Sequence, residues 1–197
     1  MKNLKTLTLL LIFSFILCGC IEPDSLPENQ QPSQSEASAQ LCALFDKDTI
    51  NRLIGKPNQT KQIENLDKNT AGCAFSNTED EALYVRNIGI VSLTAPDEAT
   101  SRSNYERATG VWRNSTVSQR TLIDLPDLGT AALWSPGSAV SQLIAYRSTT
   151  MIIITFGHLP IDEEQQLKEI RALAEITLNA ALPKLGVKEP QAAATGK

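Results

Sequence analysis

The chain has 197 residues, 42% hydrophobic and 20% charged, with a formal net charge of −4. That balance fits a globular core and excludes disordered or fibrous classes. A mildly acidic chain lacks the dense Lys/Arg patches that select nucleic acid, and anionic lipid headgroups would not attract it.

Residues 1–20 carry Lys2 and Lys5, then an apolar run from Thr6 to Leu17, and finish Leu17-Cys18-Gly19-Cys20. A charged start, a short apolar middle and a small residue at the cut describe a secretory signal. A membrane-spanning helix needs about 20 apolar residues, more than this run supplies. The last four residues resemble the lipobox of bacterial lipoproteins. The resemblance implies that residues 1–19 are a lipoprotein signal peptide, with palmitate-type acyl chains then carried on Cys20. Leu17 is too bulky for Cys18 to be the modified residue. Ile21 stands where an aspartate commonly retains such proteins at the inner membrane, which implies an outer-membrane anchor facing the periplasm in a Gram-negative host. Two or three acyl chains, at about 0.8 kcal/mol per buried CH₂, make that attachment stable. Loss of Lys2 and Lys5 with the signal leaves the mature chain two charges more negative.

Residues 20–40 hold three prolines, many Gln and Ser and few large apolar side chains, so they are expected to form a flexible tether. Residues 188–197 have the composition of a disordered tail, which leaves 41–187 as a single domain. Cys42 and Cys73 are then the only cysteines of the folded part. In an oxidising compartment two such thiols pair. The alternatives are a redox-active or metal-binding pair, but no Cys-x-x-Cys is present and His158 is the sole histidine. No cofactor and no metal are expected.

Asp46 as N-cap, apolar Ile50, Leu53 and Ile54, and Gly55 as the stop predict a first helix. Gly72–Ser76 reads as a short strand, and Ala82–Thr94 as a longer one with a bulge at Gly89. Thr94 with Asp97 three residues on predicts the start of a second helix, closed by Gly110. Strands follow at Thr116–Asp124, Ala131–Trp134, Val140–Arg147 and Thr150–Phe156, the last two joined by a tight turn at Ser148-Thr149. Asp162 caps a final helix whose apolar stripe is Leu167, Ile170, Leu173, Ala174, Leu178 and Ala181, with Pro183 ending it. Most strand connections are too short for parallel crossovers. The expected class is therefore α+β, a curved antiparallel sheet with helices packed on one face.

A cysteine just before the first helix, a second about thirty residues later in a strand, and Asp127-Leu128-Gly129-Thr130-Ala131-Ala132-Leu133-Trp134 leading into a hairpin form a recognisable layout. It resembles certain bacterial lipoproteins, mostly of unknown function, and the extracytoplasmic sensor domains of some bacterial Ser/Thr kinases. The resemblance runs from Cys42 to Leu182 in layout, with shared motifs at Cys42, Cys73 and the Leu128-Gly129-x-Ala131 turn, and it leaves the function open.

Motifs for chemistry are sparse. His158 could serve as a general base, but no nucleophile is singled out beside it. Glu79-Asp80-Glu81 fits a solvated turn and Asp162-Glu163-Glu164 fits helix capping; neither has calcium-loop spacing. Trp112 and Arg113, after the second helix, and Trp134, at a strand end, are the candidate ligand-binding residues, since tryptophan at a loop edge offers large contact area with a polar handle. Against this stands the reading that both tryptophans roof the core. The expectation is a lipid-anchored cell-envelope lipoprotein with a non-catalytic binding domain, taking an envelope protein or a small ligand as partner. An envelope hydrolase acting on glycan or peptide, and a structural envelope-assembly lipoprotein, are the alternatives.

Overall fold

The structure, a computed structural model, describes residues 33–56, 58–63, 66–67, 69–77, 85–114 and 121–180. Cys18, Cys20, the carboxylates 79–81, Ala181, Pro183 and the tail 188–197 lie outside them. All the described residues belong to one compact unit. In chain order they form α1 (Gln34–Ala43), α2 (Lys47–Ile54), β1 (Asn58–Gln62), β2 (Thr70–Asn77), β3 (Asn87–Thr94), α3 (Glu98–Arg113), β4 (Ile123–Asp124), β5 (Ala131–Ser135), β6 (Val140–Arg147), β7 (Thr150–Gly157) and α4 (Glu163–Asn179).

The strands make one open sheet in the order β1-β2-β3-β7-β6-β5-β4, antiparallel at every pairing. Two meanders, β1–β3 and β4–β7, are thus joined edge to edge through β3 and β7. Side chains alternate across the pleat. On one face Cys73, Phe75, Ile88, Ile90, Leu143, Ala145, Ile152, Ile154 and Phe156 meet α1, α2 and α4 in the main core. On the other, Leu133, Ile144, Tyr146 and Met151 meet Tyr105 of α3, with Leu93, Ala108, Trp112 and Ile153 around them. The class is α+β, an antiparallel sheet with helices packed against it. Three helices share one face, and α3, carried across by the β3–β4 connection, lies on the opposite one.

Local chemistry explains the boundaries. Asp46 accepts a hydrogen bond from Thr49 N at 2.8 Å, and Asp162 accepts one from Gln165 N at 2.8 Å, so both predicted caps are in place. Gly55, at φ 88°, terminates α2. The start of α3 differs from expectation. Thr94 is still paired in β3 and Asp97 is the cap, accepting from Thr100 N at 2.7 Å. Nor does Gly110 close that helix, which runs on to Arg113; a side chain at 110 would meet open space, so this position imposes no turn. No bulge occurs at Gly89, whose pairing is continuous with Ala74 on one side and Thr155 on the other. Of the expected strand Thr116–Asp124, only Ile123–Asp124 is strand among the described residues.

The N-terminal part corrects the tether's extent. Residues 33–40, assigned above to flexible chain by their composition, belong to α1 and its cap. Ser33 accepts from Glu36 N at 3.2 Å while its own N donates to Glu36 Oε2 at 2.7 Å, a complete capping box. Ala37, Ser38 and Leu41 are buried against the sheet. The Cys42–Cys73 disulfide then ties the last turn of α1 to β2, with 5.3 Å between the two Cα atoms. Bridging residues 31 apart in sequence contributes about 3–4 kcal/mol in the chain-entropy account.

Candidate functional site

The three aromatic and basic residues singled out in the sequence do not come together. Trp134 is 1% exposed and belongs to the main core, on the face covered by α1, α2 and α4. Its place on β5, paired with Leu143 and Ile123, points the indole inward, so it presents no contact area to a ligand. That is a correction to its candidacy. Trp112 is half-buried on the α3 side, inside the last turn of the helix rather than after it. Arg113 follows it and donates to Asp124 Oδ1 at 2.6 Å, which pins the C-terminal end of α3 to the short edge strand β4.

Around Trp112 and Arg113 the structure gathers residues that the linear reading did not select. Tyr105 and Tyr146 pack with ring centroids 5.1 Å apart at a tilt of 46°. Arg102 Nε donates to Tyr146 Oη at 3.3 Å. Burial pushes the Tyr105 hydroxyl above its ordinary value, and the nearby Asp124 carboxylate adds to that, while Arg113 opposes it. The signal was present in the sequence as helical spacing: Ser101, Tyr105, Ala108, Thr109 and Trp112 lie on one side of α3. That side packs on the sheet. The outward side carries a shallow depression of about 340 Å³ lined by Glu98, Ala99, Arg102, Ser103 and Glu106. Arg102 has a carboxylate four residues away in each direction, a spacing at which charges neutralise each other along a helix.

His158 follows Gly157 at the end of β7 with φ 51°, a left-handed conformation that non-glycine residues seldom adopt. It is half-buried, and its backbone N donates to Ala139 O at 2.8 Å, which continues the β6–β7 pairing one residue beyond Val140 and Gly157. Asp162 and Gln165 are engaged in the α4 cap, and Glu169 accepts from Gln165 Nε2 at 2.6 Å. Other charged pairs serve packing: Arg147 ties β6 to Glu175 of α4, and Arg171 of α4 reaches Asp127. Among the described residues no group of three or more His, Cys, Asp or Glu is arranged to hold a metal ion, and no helix is long and apolar enough to cross a membrane.

The site best supported is therefore the last turn of α3, where half-buried Trp112 and exposed Arg113 stand over Tyr105 and Tyr146, themselves buried against the sheet. It can offer stacking area and hydrogen-bond donors to a partner. No family model, no curated protein and no solved structure matches the chain.

Proposed function

We propose that this chain is a lipid-anchored protein of the bacterial cell envelope whose folded domain binds a partner, with the α3 surface around Trp112 and Arg113 as the contact. The observation that carries the reading is Leu17-Cys18-Gly19-Cys20 after a charged start and an apolar run. The Cys42–Cys73 disulfide supports it, because such bonds persist in extracytoplasmic compartments and are rare in reducing ones. In this reading Cys20 carries the acyl chains, and a Gram-negative host would place the anchor in the outer membrane facing the periplasm. The partner is an envelope protein or a small ligand met at the membrane.

Intact-mass measurement of the chain purified from its native membrane tests the anchor. The expected mass begins at Cys20 and includes added acyl groups. Cys20→Ala should abolish the acyl mass and leave residues 1–19 attached. A retained leader, or a Cys20 terminus without acyl mass, would overturn the proposal.

A further inference from the structure

We propose that the Cys42–Cys73 bond is a releasable latch: its reduction frees α1 from the sheet as a unit and lengthens the tether while the rest of the domain stays folded.

Helix α1 packs over β1 and β2, at one edge of the sheet, whereas α4 covers the central strands β6 and β7. Its only buried apolar side chains are Ala37 and Leu41. Half-buried Cys42 packs against the same core, and polar attachments add to it: Gly72 N donates to Ser38 Oγ at 3.1 Å, Gln34 Nε2 to Thr70 O at 3.3 Å and to Asp67 O at 3.4 Å, and Ser35 Oγ to Gln62 Oε1 at 3.0 Å. A helix of 10 residues is too short to persist in water by itself. Once undocked, α1 would melt. The chain immediately after it is fixed independently, since Phe45 is buried and packs edge-on against Phe75 with centroids 6.0 Å apart.

Cys73 is fully buried and Cys42 half-buried, so attack falls on Cys42. A thiolate of a dithiol reductant bonds to the Cys42 sulfur, the S–S bond breaks, and its electron pair leaves on the Cys73 sulfur, which takes up a proton. The reductant's second thiol then displaces the Cys42 sulfur, which is protonated in turn. The reductant ends as a disulfide, having passed two electrons and two protons to the pair.

The consequence is one of reach. From Cys20 to Ser33 the chain spans at most about 45 Å, and with α1 released the fixed point moves to Leu44, for a span of about 85 Å. That lengthening rests on the lipid attachment proposed above; the release of α1 does not.

Hydrogen–deuterium exchange on the full chain, before and after treatment with dithiothreitol, tests the latch, with the gain of two labelled thiols verifying reduction. Amides of residues 37–43 are expected to exchange about 10-fold faster once the bond is gone, since with Phe45 still docked the bond closes only a short segment. Those of β3, β6 and β7 should keep their protection. The Cys42→Ser, Cys73→Ala double variant should match the reduced protein without reductant. Unchanged protection in α1 after reduction would overturn the proposal. So would acceleration of the sheet amides together with α1, or a double variant that cannot fold. Absence of acyl mass on Cys20 would leave the exchange result standing and remove only the change in reach.

Discussion

Trp134 and Trp112 lie on opposite faces of the same sheet, and their surroundings set different expectations for each. Trp134 fills the main core, yet its Nε1 has no hydrogen-bond partner among the described residues. The ring is therefore needed for its volume, while its N–H is buried at a cost. Trp134→Ala should destabilise by about 3–5 kcal/mol through the cavity it leaves. Trp134→Phe should cost far less, because the orphaned donor disappears with the lost area. Urea denaturation of the two variants would separate them, and equal losses would refute this account. Asp46 and Asp97 differ in kind, being exposed caps. Hydrogen bonds from the Thr49 side chain and then its backbone hold the Asp46 carboxyl below the ordinary aspartate value of 3.8. The Thr100 backbone N–H, then its side chain, does the same for Asp97. A lowered folded pKa means stability that is fully present above 3.8 and lost as the pH falls through the folded value. Asparagine caps a helix without titrating. The Asp46→Asn, Asp97→Asn double variant should thus show a flatter loss of urea midpoint than the parent chain between about pH 4 and pH 2.

Elements were legible where a strong apolar pattern coincided with local chemistry. The predicted bounds of β6 match the structure, and α4 and α2 begin at their predicted caps, because burial periodicity and an Asp N-cap agree there. Two elements were missed for physical reasons. Strand β1, Asn-Gln-Thr-Lys-Gln, is polar throughout because it sits at the sheet edge, and such strands show no alternation to read. Helix α1 is almost non-amphipathic and rich in Ser and Gln, so its composition mimics a linker. Its one local signal was Ser33-x-x-Glu36. Which face each helix takes was likewise unreadable, since it depends on the path of the connections. The candidate site was only half legible: Trp112 and Arg113 lie on a surface, whereas Tyr105, Tyr146 and Arg102 reach them through the fold. The turn before β5 belongs to the same scale. Gly129 has φ 71°, and a Cβ there would lie 2.6 Å from Tyr146 O. Gly129→Ala should cost about 2 kcal/mol or more, adding left-handed strain to a backbone clash. A thermal midpoint unchanged from the parent would show that the β6 backbone yields instead.

At the scale of the whole molecule, strand order departs from chain order at one place. The last strand among the described residues, β7, fills the centre of the sheet, between β3 on one side and β6 on the other. A growing polypeptide that stops short of Thr150 therefore holds two disconnected hairpin ribbons, each with a bare margin and an unroofed greasy side. Two- and three-stranded pieces of that kind are marginal in water. The sheet is consequently decided by these eight residues, which stitch both ribbons at once. Until they arrive the two ribbons stay pliable, with no shared strand to lock one against the other.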